Sequence, residues 1–474
     1  MCFSLASRIA CLKFWLYAAL LGWLCFTGCL LGELPAVVAQ NRSPSDAHFE
    51  TQIAPLLIKR CVECHQGENT AGGLLLTNGK GLALGGDSGD AINREVFADS
   101  YLLERITSGE MPPEQQGRPQ KLPDSEIEVL RQWVNDGAQW PEQRVLDYFE
   151  RTNEVRAGRD WWSLQPVVRP PVPSLKEALR EDALLKVKLQ PSNPIDAFIG
   201  AELAKHNVQP APRADRRTLI RRLYYDIIGL PPSESAITDF ENDQNLDAWP
   251  KLVDRLLEMP QYGERWARYW LDLARYADTS GYERDQEKPF AWKYRDWVVQ
   301  AFNSDMPYSQ FIVEQIAGDE IETRTKQSVI ATGFLRLGTW NDEPNDRLDY
   351  QYERLEDLVH TTSSAFFGLT VKCARCHSHK FDAITQTDYY RMASVFWAGP
   401  LLTGGKQLGG PTAEQVGFDD VLAWTDTGPK PKPLHRLENG ERDQPLEEVV
   451  PGSLSFIPSL ERLFVSPPGD SKTS

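Results

Sequence analysis

The sequence is short of the residues that hold metals: among 474 residues there are seven His, five Met and eight Cys. Four of those cysteines, Cys2, Cys11, Cys25 and Cys29, lie at the extreme N-terminus, which leaves four for the rest of the chain. A surplus of positive charge is also missing. With 51 Lys and Arg against 67 Asp and Glu the net charge is −16, and a nucleic acid needs a basic footprint, so that class of partner is excluded. Solubility explains the acidity, with electrostatic choice of a basic partner as the alternative. Past Leu31 no stretch is apolar enough to span a bilayer. Any membrane contact therefore belongs to the N-terminal segment. The remaining composition, 41% hydrophobic and 25% charged, is that of ordinary globular domains, and the length allows more than one.

What is present begins with an export pattern. Arg8 and Lys13 precede a nearly continuous apolar stretch from Phe14 to Leu31, and Val37-Val38-Ala39 offers small residues for cleavage before Gln40. Residues 1–39 are thus predicted to be a signal peptide, or an uncleaved N-terminal anchor, and the protein is expected in the periplasm or cell envelope. Phe26-Thr27-Gly28-Cys29 is an imperfect lipoprotein box, but the apolar run continues past it.

The remaining cysteines form two pairs, Cys61-Val62-Glu63-Cys64-His65 and Cys373-Ala374-Arg375-Cys376-His377. Four cysteines in an exported protein would ordinarily suggest disulfides, and two such pairs could make one zinc site. Neither uses the His that follows each pair. Covalent haem c does: two thiols form thioethers to the porphyrin vinyl groups, and the next His falls beneath the iron as proximal ligand. Two haem c groups are therefore expected, on Cys61, Cys64, Cys373 and Cys376, with His65 and His377 as iron ligands.

Met111 is the expected sixth ligand of the first haem. It sits in Gly109-Glu110-Met111-Pro112-Pro113, where prolines stiffen the loop. A His/Met iron is saturated and has a raised potential, which suits electron transfer. At the second motif, His379 lies two residues beyond the proximal His377. It is a further candidate ligand, for another haem if not its own, or a partner for a propionate or substrate. Met392 and His360 are weaker distal candidates. An iron left open there would permit catalysis. Asp319 and Glu320 could be acid/base groups, although a helix-terminal loop explains them as well.

Spacing predicts a mostly α-helical chain. Residues 45–141 read as a small class I-like cytochrome c domain, with Phe49, Ile53, Leu56 and Leu57 on one face before Cys61 and a closing helix carrying Ile127, Leu130, Trp133 and Val134. Residues 142–192, rich in Trp and Pro, read as an extended connector whose Trp161-Trp162 pair docks on a neighbouring domain. Residues 193–400 read as a larger helical domain carrying the second motif, with Trp266, Tyr269, Trp270 and Leu273 as one stripe. Its many Arg and aromatic residues, among them Arg265, Arg275 and Arg295, fit either propionate neutralisation or an internal Arg–Asp network. Residues 401–474 read as an irregular tail.

Two resemblances are carried by longer motifs. Ile53-Ala54-Pro55-Leu56 before the first CxxCH, Gly85-Gly86-Asp87-Ser88-Gly89, Met111-Pro112-Pro113 and the run from Trp133 to Trp140 resemble the planctomycete-type cytochrome c domain. Gly229-Leu230-Pro231-Pro232, Tyr262-Gly263-Glu264-Arg265-Trp266, Gln315-Ile316-Ala317-Gly318-Asp319 and the run from Gly368 to Asp382 resemble the cytochrome-like domain of unknown function that follows it in large planctomycete proteins. His379 matches that pattern and His360 does not. The resemblance implies a haem-binding envelope protein whose reaction is uncharacterised. It also implies a further C-terminal domain, whose opening Leu434 to Ile457 would be, so that the chain is expected to be truncated or split. Three functions fit: an electron-transfer module serving a redox partner protein and a separate or missing C-terminal domain; an oxidoreductase whose second haem is catalytic; or an envelope interaction or glycan-binding protein with structural haem.

Overall fold

The computed structural model describes residues 44–67, 70–114, 117–173, 193–341, 343–401, 411–426 and 433–456. The predicted signal segment and the greater part of the second half of the connector lie outside them. The chain divides into two units, one ending at Arg151 and one beginning at Thr152. Both are mainly helical, and none of the described helices is long and apolar enough to cross a membrane.

In the first unit the chain is helical from Pro44 through Arg60, interrupted by one π-helical turn at Phe49–Ile53. The Ala54 N–H reaches back to the Phe49 carbonyl, and Pro55, with no N–H to give, follows at once. This places Phe49, Ile53, Leu56 and Leu57 in the core, as their spacing predicts. The Asp124–Asn135 helix supplies Ile127, Leu130, Trp133 and Val134 to the same core. Phe49, Trp133 and Trp140 pack as a ring cluster, with the Phe49 and Trp140 centroids 4.7 Å apart.

The boundary expected at 141 moves outward. Leu146 is buried in this core and its N–H bonds the Thr77 carbonyl at 2.6 Å, while the Arg144 guanidinium bridges Glu50 and Glu150. The start of the predicted connector is therefore part of the first unit. Its continuation belongs to the second: Arg156 is buried, the Ala157 N–H bonds the Phe381 carbonyl at 2.8 Å, and Leu164 packs on the second unit's core. Trp161 and Trp162 are both exposed.

The second unit is built on helices Pro260–Leu273, Ala291–Asn303, Tyr308–Ala317, Arg347–Thr362 and Gln386–Phe396. Trp270, Tyr294, Trp297, Phe311 and Phe334 form its aromatic centre. A satellite core of Ile220, Phe240, Leu252 and Leu256 joins three preceding helices. The expected aromatic stripe is corrected here. Only Trp270 of that set is buried; Trp266, Tyr269 and Leu273 are exposed. The inward face is Gly263, Ala267, Trp270 and Ala274. A Cβ on Gly263 would lie 2.5 Å from the Val299 carbonyl oxygen, so small residues let two helices approach more closely than aromatics could. The helix stops at Leu273, and Arg275 takes φ +60°.

The segment expected to be an irregular tail is also corrected. Strands Leu434–Leu437 and Pro445–Val449 pair antiparallel, with Leu434 opposite Val449. Leu434, Leu437, Val449, Leu454, Phe456 and Trp424 are buried in the main core of the helical unit. Both strands thus contribute to the core of this unit.

Candidate haem-attachment sites

The first motif grows out of a helix end. The N–H groups of Cys61 and Val62 both bond the Leu57 carbonyl, at 2.8 and 2.9 Å, and the His65 N–H bonds the Cys61 carbonyl at 3.1 Å. Val62, fully buried, anchors the turn. Cys61 is then half-buried and Cys64 exposed, and both thiols are free. Burial pushes the Cys61 thiol up to about 12, with Cys64 adding to the effect and Arg60 opposing it. A thiolate is disfavoured in that position; a neutral thioether is not.

The His65 imidazole is held through one nitrogen. Its Nδ1 lies 3.0 Å from the Leu74 carbonyl oxygen, which also accepts from the Thr70 hydroxyl at 2.8 Å. A carbonyl can only accept, so Nδ1 carries the hydrogen and Nε2 keeps its lone pair. That is the tautomer a proximal ligand needs, with the carbonyl fixing the ring's orientation. Gly109, in the left-handed region, closes the Tyr101–Ser108 helix and turns the chain. The Met111 N–H bonds the Arg105 carbonyl at 3.1 Å, and the side chain packs on the core that Cys61 also meets.

The second motif is a 3-10 turn, Val371–Arg375, pinned by buried Val371 and Ala374. Cys373, Cys376 and His377 are left exposed, again with free thiols. The His377 Nδ1 lies 2.8 Å from the Ser378 carbonyl, so its Nε2 is likewise the free nitrogen. Around it the support is denser than sequence suggests. The Gln386 amide donates to the carbonyls of Arg375, Cys376 and Leu437 at 2.9, 3.0 and 2.8 Å. The Arg436 guanidinium holds the Gln386 carbonyl oxygen at 2.8 Å. Gly440, at φ +76°, packs where an added Cβ would meet the Cys376 Sγ at 2.7 Å. The contacts of Leu437, Arg436 and Gly440 arise only once the strand pair is folded back, since they join positions far apart in the chain.

The further candidates are placed differently. His379 is buried, and its Nδ1 accepts the N–H groups of Phe381 and Asp382 at 3.2 and 2.8 Å. The proton is therefore on Nε2, which donates to the Thr370 hydroxyl at 3.1 Å. Burial lowers its pKa. With both nitrogens hydrogen-bonded, and the Asp382 carboxylate 3.2 Å from Nδ1, His379 braces the loop after the motif. Met392 is buried in the main core, and His360 Nδ1 meets the Ser364 hydroxyl at 3.2 Å. Gly318 before Asp319 is a packing requirement, since a Cβ there would sit 2.0 Å from the Ser328 carbonyl.

Among the described residues no three His, Cys, Asp or Glu side chains gather as a metal cage would require. Two adjacent thiols with a His whose Nε2 is free form a different donor set, and it fits haem c at both motifs. Residues 61–115 match the family model for planctomycete cytochrome c, and residues 194–399 match that of a protein of unknown function, DUF1549. The chain thus carries a segment similar to planctomycete cytochrome c, followed by one similar to DUF1549. The cytochrome c match begins at Cys61 and runs past Met111; the DUF1549 match contains Cys373 to His379. The match of the first segment points to covalently bound haem c there. No curated protein and no solved structure matches the chain.

Proposed function

We propose that the chain is an exported dihaem cytochrome that transfers electrons to or from a partner protein, with His65 and Met111 as the axial pair of its first haem. The bonded Nδ1 of His65, leaving Nε2 free beside two unpaired thiols, carries this reading. Haem supplies a one-electron couple when bound. The protein's part is to fix the His65 ring through the Leu74 carbonyl, to bury Cys61, and to bring Met111 onto the same core. Export rests on the N-terminal pattern, and the second haem on the repeated motif with its repeated His tautomer.

The test is spectroscopic. A pyridine haemochrome assay on the purified protein should find two haems per chain, and one would defeat the dihaem reading. The far-red methionine–iron band should be present, and Met111→Leu should abolish it and lower the potential of one haem while leaving haem content unchanged. A second reading makes the DUF1549 haem the centre of an oxidoreductase. It is favoured by the commitment of His379 and Met392 to internal packing, which leaves neither to cap the iron over His377. A high-spin signal that responds to cyanide would support it.

A further inference from the structure

The DUF1549 segment contains a cavity of about 420 Å³ that neither CxxCH motif uses. Its walls come from the loop after the Pro260–Leu273 helix, the turn at Gly338, and the Arg347–Thr362 helix. Three cations line it: Arg275, Lys288 and Arg354. Arg336 lies just behind, its guanidinium 4.6 Å from the Trp340 ring that Lys288 also approaches at 5.3 Å. Lys288 is 4% exposed, Arg354 7% and Arg336 2%. So many cations in one buried place are costly unless something negative answers them.

The protein answers only in part. Two carboxylates line the cavity: Asp357, which is shared between Arg275 and Arg354, and Glu353, which is exposed. Arg354 also donates to the carbonyls of Thr339 and Leu337, at 3.1 and 3.2 Å. Lys288 has no carboxylate partner among the described residues; its ammonium donates to the Gly338 carbonyl at 2.5 Å. Arg275 makes its ion pair through Nη1, while Nε and Nη2 are buried without a hydrogen bond. Buried guanidinium donors are rarely left unsatisfied. Burial, with repulsion from neighbouring cations, holds Lys288 down to about 8 and Arg336 down to about 9. The remaining wall carries polar groups, among them Thr279, Ser280, Thr339 and Asn341, with Tyr282 exposed at the rim.

We propose that this cavity binds a small hydroxylated organic anion, with Arg275 and Lys288 holding its carboxylate, sulfate or phosphate group and the hydroxyl- and amide-bearing wall its hydroxyls. The volume suits a molecule of about monosaccharide size. The site is independent of whether either haem transfers electrons. The same oxyanion chemistry could instead be met by a haem propionate, and the experiment separates the two.

Haem-loaded full-length protein is titrated calorimetrically with glucuronate, with sulfate, and with glucose as the neutral control. Glucuronate and sulfate should bind and raise the melting temperature, and glucose should do neither. Arg275→Gln should weaken glucuronate about ten- to a hundredfold, and Arg275→Lys should recover part of the loss. Equal response to glucose and glucuronate overturns the proposal, and so does unchanged affinity in a folded Arg275→Gln protein. If the wild type ignores added anions while Arg275→Gln shifts a haem potential, the cavity serves a propionate and the diffusible-ligand proposal falls. The wild-type titration decides the matter even if a variant does not fold.

Discussion

His377 and His379 stand two residues apart and have opposite fates. The difference is whether Nδ1 meets a carbonyl or an N–H. A carbonyl accepting at Nδ1 of His377 keeps the ring hydrogen on that nitrogen and frees Nε2; two backbone N–H groups donating to Nδ1 of His379 do the reverse. Thr370→Val removes the acceptor for the His379 Nε2–H and should cost about 1–2 kcal/mol in urea unfolding, with the haem spectrum unaltered. A change of spin state would mean that His379 reaches an iron. Lys288 gives the matching prediction for pH. Its folded-state value of about 8 lies below its ordinary 10.5, set by burial, by Arg354, Arg275 and Arg336, and opposed by Asp357; Glu353 and Tyr350 also line its cavity. Below the lower value both folded and unfolded chains hold the proton and the penalty is fully present. Between the two values only the unfolded chain keeps it, so stability rises with pH across that window, by up to about 3 kcal/mol. Unfolding of wild type and Lys288→Met across that range should differ by this slope, and parallel curves would contradict it.

At the scale of elements, period is well read from the chain while facing is not. The helix before Cys61 and the Asp124–Asn135 helix bury the residues that their spacing selects. In the Pro260–Leu273 helix the aromatics point outward, because Gly263 and Ala267 admit a neighbouring helix at close range. Strand Leu434–Leu437 is short, and its value lies in Leu434 and Leu437, which enter the core beside the second motif. Leu437 is 1% exposed and its carbonyl receives the Gln386 amide. Leu437→Ala should therefore destabilise the DUF1549 unit by about 2–5 kcal/mol. A loss under about 0.5 kcal/mol, the level of ordinary surface changes, would show the strand pair to be an appendage.

At the scale of the whole molecule, among the described residues, the main core of each unit is built from that unit's own residues. Leu130, 1% exposed, belongs only to the cytochrome c core. Calorimetry should show two unfolding transitions, and Leu130→Ala should lower one of them by several degrees while the other stays in place. A single transition that shifts as a whole would contradict separate cores. The net charge of −16 also bears on the whole surface: reduction by a basic partner protein should slow as salt is raised, measured by stopped flow.

The sequence alone determined the chemistry of attachment, because a CxxCH is local: two thiols and a His within five residues need only one turn to converge. It also determined the helical class and the first core, since burial there follows regular spacing along single helices. Tertiary structure decided everything that depends on distant chain segments. The clamp of Gln386 on the second motif, the return of residues 434–456 into the core, the outward aromatics and the cavity of Arg275, Lys288 and Arg354 all join positions tens of residues apart. Periodicity carries no information about which face a distant neighbour will cover or where two charges will meet.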